Sequence, residues 1–138
     1  MNRYASPAVE RALDLVEYLS TRGSCSLTDV VNDLGISKST AYGLLVTLED
    51  RGYLRRNGAG RYQLGLGFVH LGRGVLDRMD VREISEPFMA RLAAETKETI
   101  HLGVLSGASV VQVGKVESPL AVKLTSYIGQ TRPLHSSG

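Results

Sequence analysis

Apolar residues near the start of the chain recur at intervals of three and four, the spacing that places side chains on one face of a helix. In the first run these positions are Val9, Ala12, Leu13, Val16 and Leu19. Ser6-Pro7 before the run is typical of a helix start, and Arg22-Gly23 after it is typical of a helix end. The pattern predicts a first helix that buries this stripe.

Two more helical runs follow. The second is short, with apolar Val30, Val31 and Leu34, and it begins at Ser26 or Thr28 and ends at Gly35. The third begins at Ser37, a good N-cap, and its apolar face is formed by Ala41, Leu44, Leu45 and Leu48. A short helix, a glycine-containing turn and a third helix with a polar start together predict a helix-turn-helix.

The outward side of this third helix carries small polar, basic and aromatic side chains near its start. They are Ser37, Lys38, Ser39, Thr40 and Tyr42. In a helix-turn-helix the first residues of the second helix of the pair face base edges in the major groove of DNA. The backbone N–H groups at such a helix start also attract phosphate. We therefore interpret these five residues as a DNA-contacting set.

The residues after the third helix predict a hairpin. Two alternating runs, Tyr53–Arg56 and Arg61–Leu64, flank Asn57-Gly58-Ala59-Gly60, and Asn-Gly between such runs is a strong hairpin signal. We interpret the hairpin as a basic wing. Its Arg55, Arg56 and Arg61 would reach the DNA backbone or the minor groove. The alternative is a surface hairpin whose arginines only make it soluble.

Beyond the wing the helical period resumes. Phe68, Leu71, Val75, Leu76 and Met79 predict a linker helix over residues 65–80, although Gly65, Gly67, Gly72 and Gly74 weaken it. A lone helix this rich in glycine is marginal, so we expect its stripe to be buried. The stripe would pack either on its own domain or on a second copy of the chain.

A further helical stripe is formed by Val81, Ile84, Phe88 and Leu92 and extends to about Lys97, with Pro87 predicting a kink or a new start. The period then changes to two. Three short strands are expected around Ile100–Val104, Val111–Val113 and Val122–Leu124, with a Ser-Gly-Ala-Ser turn between the first two. A helix that leads into antiparallel strands predicts the beginning of an α/β domain.

Composition narrows the functional classes. The 138 residues, 43% apolar and 22% charged, are typical of one ordinary soluble domain or two small ones. We expect a cytoplasmic protein, since the chain shows neither a transmembrane stretch nor a secretory h-region. Cys25 is the only cysteine, which excludes an internal disulfide. A net charge of +2 is too small to drive nucleic-acid binding, so the local arginine cluster matters more.

Candidate catalytic and metal-binding groups do not form a convincing set. His101 lies in a predicted strand, where a packed or solvated histidine is expected, and His135 and Ser136 are adjacent without a supporting carboxylate. His70 has no second ligand four residues on. We therefore expect no enzyme, no cofactor and no metal site.

Four segments together resemble the IclR family of bacterial transcriptional regulators: SPAVERALDLVEYL, LGISKSTAYGLLVTLEDRGYLRR, RYQLGLGFVHLG and GQTRPLHSSG. The resemblance implies an α+β chain with three parts. These are a winged helix-turn-helix domain (1–64), a linker helix (65–80) and the start of a GAF-like α/β effector-binding domain (81–138), truncated before its second half. It also implies a homodimer, with a tetramer as a further possibility, that binds a near-palindromic operator in double-stranded DNA and a small-molecule effector, without a membrane partner.

The resemblance assigns roles position by position. Ser37, Lys38, Ser39, Thr40 and Tyr42 match the recognition-helix signature of the family, and Arg55, Arg56 and Arg61 match basic wing positions. Ser137 and Gly138 match a stretch near the effector. The chain departs from the family at Gly43, where an arginine is common, which puts a phosphate or base contact in doubt. The rival hypothesis is a winged helix used only for protein–protein contacts.

Overall fold

The computed structural model describes residues 6–119 and 126–134. Helices and small antiparallel sheets alternate along it, which confirms the predicted α+β class. The chain divides into two compact units, residues 1–73 and 74–138. The elements in chain order are α1 (Pro7–Arg22), α2 (Leu27–Leu34), α3 (Lys38–Asp50), β1 (Leu54–Arg56), β2 (Tyr62–Leu64), α4 (Gly67–Leu76), α5 (Asp80–Thr96), β3 (Ile100–Ser106), β4 (Ser109–Val116) and β5 (Thr131–Pro133).

The helix boundaries in the first unit follow the predicted signals. Ser26 caps α2 in a reciprocal capping box: its hydroxyl accepts from the Asp29 N–H, and the Asp29 carboxylate accepts from the Ser26 N–H. Gly35 ends α2 in the left-handed conformation, which favours glycine. Ser37 then caps α3 by accepting from the Thr40 N–H at 3.2 Å. The predicted helix-turn-helix is confirmed.

The buried face of α1 differs from the predicted stripe. Leu15 and Leu19 are the residues of α1 that are buried, whereas Val9 and Leu13 are more than half exposed. The apolar residues of this helix form two lines along its axis. Because a helix turns by about 100° per residue, a line that is shifted along the sequence points in a different direction. The line through Leu15 faces inward because α2 and β2 pack on that side. The prediction of a buried stripe was therefore right at Leu19 and wrong at Val9 and Leu13.

The wing is a hairpin of β1 and β2, as predicted. Leu54 pairs with Leu64 and Arg56 with Tyr62, in antiparallel register. At the turn, the Asn57 Oδ1 accepts from the N–H groups of Ala59 and Arg61, both at 3.0 Å. The backbone of Cys25 adds a third short segment, because it exchanges two hydrogen bonds with Tyr62 at 3.0 and 2.8 Å.

The junction between the wing and α4 is tight. A Cβ on Gly65 would lie 2.3 Å from the Gly52 carbonyl oxygen, so only glycine fits there. Just beyond it, the ring of Phe68 packs at 5.1 Å from that of Tyr53. Along the rest of α4 the predicted stripe is not buried: Leu71 and Val75 are more than half exposed. The helix also ends at Leu76, short of Met79.

The second unit holds the sheet β3-β4-β5, all antiparallel, with α5 against β3 and β4. The predicted turn joins β3 to β4 and contains Gly107 at a φ of 58°. A bulge interrupts the register between Leu102 and Gly103. The predicted strand at Val122–Leu124 lies outside the described residues, and β5 was not predicted.

Helix α5 runs unbroken through Pro87 and turns its predicted stripe outward. The residues of α5 that are buried are Met89 and Ala93, whereas Val81, Ile84, Phe88 and Leu92 are 43–66% exposed. The inward line is thus displaced by one residue, or about 100°, from the predicted one. The small side chain of Ala93 suits a close approach to the sheet. The sequence predicted a helical stripe through Phe88, but not which face of the helix packs against the sheet.

Candidate nucleic-acid interface

The start of α3 presents a cluster of hydroxyl groups. The Ser37 Oγ lies 2.8 Å from the Thr40 Oγ1 and 3.1 Å from the Ser39 Oγ, in addition to capping the helix. Ser37, Lys38 and Ser39 are exposed, and Thr40 is half-buried. The cluster therefore combines a helix N-terminus with small side chains and a mobile cation, an arrangement suited to an anionic partner.

The opposite face of α3 fixes this helix in the core. Ala41 and Leu45 are fully buried, whereas Tyr42, one residue along from Ala41, is 57% exposed. Gly43 is exposed, and a Cβ there would meet nothing within 4 Å. The outward side of α3 is therefore open at Gly43 and offers the ring and hydroxyl of Tyr42 as its largest feature.

The three wing arginines, which the sequence grouped together, have different surroundings in the structure. Arg55 pairs across the hairpin with Gln63 through the backbone and is exposed. Within residues 6–119 and 126–134, its guanidinium makes no hydrogen bond or ion pair. Arg55 is therefore the wing arginine whose charge is free to meet a phosphate.

Arg56 is held by the protein itself. Its guanidinium donates to both carboxylate oxygens of Glu49, at 3.1 and 3.3 Å from Nε, and to the Tyr62 hydroxyl at 2.7 Å. It also lies over the Tyr62 ring, 4.6 Å from the centroid. The bond to Glu49 raises the pKa of Arg56 further. This side chain joins β1 to the last turn of α3.

Arg61 is also held, at the other strand of the wing. It donates from Nη2 to the Asp29 Oδ2 at 2.6 Å and to the Ser24 carbonyl at 3.3 Å, and from Nε to the Ser24 Oγ at 3.3 Å. The pKa of Asp29 is lowered, mainly by the hydrogen bond from the Ser26 N–H and then by Arg61. Arg56 and Arg61 thus differ from Arg55 in having their charges paired.

Four residues were not predicted from the sequence to be partners of the wing arginines: Ser24, Asp29, Glu49 and Tyr62. The spacing of Ser26 and Asp29 is a recognisable capping box, so the cap itself could have been found. Its arginine partner lies 32 residues away. No periodicity in the sequence links positions that far apart.

The predicted effector residues Ser137 and Gly138 lie outside the described residues. In the second unit, His101 is exposed on β3, with Nδ1 at 2.7 Å from the Gln112 Nε2 and Nε2 at 3.4 Å from the Ser126 Oγ. Partial burial of the ring, then the charges of Lys115 and Arg132, lower the pKa of His101. The structure therefore shows a hydrogen-bonded strand histidine.

A cavity of about 320 Å³ lies between α5 and the strands β3 and β4. Its lining mixes the carboxylates of Asp80, Glu83 and Glu86 with Lys115 and with apolar Leu102. Over the described part of the chain, no three His, Cys, Asp or Glu side chains are grouped to hold a metal ion. Among the helices described, none is long and apolar enough to cross a membrane.

Comparison with known proteins gives a consistent result for both halves of the chain. Residues 8–58 match the IclR helix-turn-helix domain, and residues 73–138 match the C-terminal domain of the bacterial transcriptional regulator IclR. The chain is 35% identical to the HTH-type transcriptional regulator XynR of Escherichia coli (strain K12) and 32% identical to KipR of Bacillus subtilis (strain 168). These matches cover 94% and 93% of this chain, but 52% and 51% of the two relatives.

A solved structure is similar over the same length. The crystal structure of an IclR family transcriptional regulator from Brucella abortus superposes with a TM-score of 0.80 and 27% identity, over 97% of this chain and 51% of that one. The chain therefore spans about half the length of the relatives it matches.

Proposed function

The chain belongs to the IclR family of bacterial transcriptional regulators, and we propose that it binds a DNA operator through its first unit under the control of a small molecule bound by its effector domain. The observation that carries the DNA-binding part is the start of α3. There, Ser37, Lys38 and Ser39 are exposed at the N-terminus of a helix that is held in the core by fully buried Ala41 and Leu45.

In this proposal α3 is the recognition helix. Backbone N–H groups and hydroxyls at its first turn bind phosphate or base edges, and Lys38 adds a cation that can follow the DNA backbone. Thr40 and Tyr42 are the side chains placed to discriminate between bases, because a threonine methyl or a tyrosine ring can contact the thymine methyl group. Gly43 leaves the same face without the arginine that is common in the family, so the operator sequence differs from the usual one.

The wing supplies the phosphate contact of Arg55. Its exposed guanidinium would displace condensed counterions from the DNA backbone, which makes binding depend on salt. We further propose that Arg56 and Arg61, which occupy basic wing positions of the family, act close to the DNA. Their paired charges favour a supporting role there over a direct contact with phosphate.

The quaternary and regulatory parts of the proposal rest on family membership. We propose a cytoplasmic, non-enzymatic homodimer, or a tetramer built from it, that meets two half-sites of a near-palindromic operator. An effector in the C-terminal domain, near Ser137 and Gly138, would change the relative placement of two recognition helices. XynR and KipR, to which the chain is similar, are both named transcriptional regulators.

The first experiment is selection of bound duplexes from a random pool at two salt concentrations. We expect enrichment of an inverted repeat, and weaker binding at the higher salt. Thr40→Val should change the preferred sequence. Arg55→Gln should weaken all duplexes alike and reduce the log–log salt slope by about one.

Arg91→Gln is the matched control, because Arg91 is an exposed arginine on α5 whose loss changes the net charge equally. It should leave both readouts unchanged. If no duplex were bound at either salt, the winged helix would instead be a protein-interaction module.

A further inference from the structure

The Arg61 side chain does more within the protein than a solvent-facing wing arginine would. Three of its hydrogen bonds go to Ser24 and Asp29, the residues on either side of the start of α2. The shortest of these is the 2.6 Å ion pair with the Asp29 Oδ2. The guanidinium thus connects the residue just before β2 with the N-terminus of α2.

The Asp29 Oδ2 that accepts this bond from Arg61 also accepts a second hydrogen bond. The same Oδ2 accepts from the Ser26 N–H at 2.8 Å and so completes the capping box of α2. One carboxylate oxygen therefore joins the first turn of α2 to Arg61, the residue just before the second strand of the wing. A shift of the wing would disturb the cap, and loss of the cap would release the wing.

Backbone hydrogen bonds next to this ion pair also attach the wing to the segment before α2. Cys25 and Tyr62 exchange two hydrogen bonds, directly beside Ser24 and Arg61. The hairpin itself has only three residues in each strand, and a two-stranded hairpin of this size is marginal alone. Its position relative to the helix-turn-helix therefore depends on contacts with the helices, which are the burial of Leu54 and Tyr62 in the shared core, the Arg56–Glu49 pair and the bonds of Arg61.

We infer that Arg61 and Asp29 are positioning residues for DNA binding: their ion pair sets where the wing, and with it Arg55, stands relative to α2 and α3. The inference rests on the proposed DNA-binding function. It assigns Arg61 a role through Asp29 and not through phosphate. It also makes Asp29, an acidic residue, favourable for binding a polyanion.

Asp29→Asn gives the sharpest test, because a purely electrostatic role and a positioning role for Asp29 predict changes of opposite sign in DNA affinity. The asparagine side-chain oxygen can still accept from the Ser26 N–H, so the cap is kept while the carboxylate charge that pairs with Arg61 is removed. On charge alone, removing a carboxylate should tighten binding to DNA. If the pair positions the wing, Asp29→Asn should instead weaken binding, by roughly tenfold.

The experiment measures affinity and salt slope for the wild-type chain, Asp29→Asn, Arg61→Gln and the double variant on one selected duplex. We expect Asp29→Asn and Arg61→Gln to weaken binding similarly, with losses that do not add and a salt slope that does not change. Arg55→Gln is the matched control. It should lower the slope by about one, and its loss should add to that of Asp29→Asn.

Tighter or unchanged binding by Asp29→Asn, additive losses, or a slope lowered by Arg61→Gln would each overturn the inference, and the lowered slope would make Arg61 a phosphate contact. Amide hydrogen exchange of the free variants separates this outcome from failure of the proposed function. If the wild-type chain binds no duplex, faster exchange at the Tyr62 amide in both variants still supports the positioning role. Unchanged exchange at Tyr62 overturns it.

Discussion

The two units of the chain use their apolar residues differently. The first unit gathers eight buried hydrophobic residues into one core, contributed by three helices, the wing and Cys25. In the described part of the second unit, the buried hydrophobic residues are Met89, Ala93 and Val113. The regular apolar stripe of α5 faces outward there. An apolar stripe in a helix therefore indicates a face suited to burial, but not which neighbouring element packs against it.

The largest expected contrast comes from one substitution made in both units. Leu45→Ala removes a fully buried side chain of α3 and should lower the free energy of unfolding of the first unit by about 2–5 kcal/mol. Leu92→Ala removes a leucine of α5 that is 45% exposed, and should cost well under half as much. Urea unfolding followed by hydrogen exchange in each unit measures both changes. Equal losses would mean that the two faces are equally buried in solution.

A glycine pair tests how tightly the first unit is built where the wing meets α4. Gly65→Ala places a methyl group against the Gly52 carbonyl oxygen and should destabilise the unit by about 1–3 kcal/mol. Gly72→Ala, in the open part of α4, has nothing within 4 Å and should stabilise the helix by up to about 1 kcal/mol. Thermal melting of the two variants should therefore shift in opposite directions. A shift of the same sign would contradict the open environment of Gly72.

Acid should destabilise the two units at different pH values, and this is the smallest of the three predicted effects. The pKa of His101 is lowered from 6.5, so the stability it contributes to the second unit is present above that pH and is lost as the pH falls through its folded value. The pKa of Asp29 is lowered from 3.8, so its contribution to the first unit is lost only at still lower pH.

Hydrogen exchange along a pH series, with amides assigned to each unit, should show loosening of the second unit first. His101→Gln should remove the loss of stability of the second unit near and below pH 6.5. Asp29→Asn should reduce only the loss of stability of the first unit at lower pH. Simultaneous loosening of both units in the wild-type chain would show that neither group controls its own unit.

Local signals in the sequence were reliable where the interaction itself is local. Ser26 and Ser37 mark helix starts because their hydroxyls bond to N–H groups three residues on. Gly35 marks a helix end through its own backbone conformation, and Asn57 organises the wing turn through bonds two and four residues away. For the same reason the strands β3 and β4, joined by a tight turn, were found.

Predictions failed where packing over long distances in the sequence decides the outcome. The buried face of α1 differs from the predicted stripe, and the stripe of α5 lies outward, because two apolar lines compete on each helix and the neighbouring elements select one. Strand β5 was missed because three exposed residues, Thr131–Pro133, carry no alternation. It forms by pairing with β4, a partner about twenty residues earlier.

The sequence by itself determined the order of the elements from α1 to β4 and the helix-turn-helix with its wing, because these follow from caps, turns and periodicity between residues a few positions apart. The family followed from the resemblance of four longer segments. Only the tertiary structure decided which of three similar wing arginines keeps a free charge. Glu49 and Asp29 reach Arg56 and Arg61 across 7 and 32 residues, and Arg55 is left exposed because its side chain leaves the hairpin on the side without a carboxylate partner among the described residues.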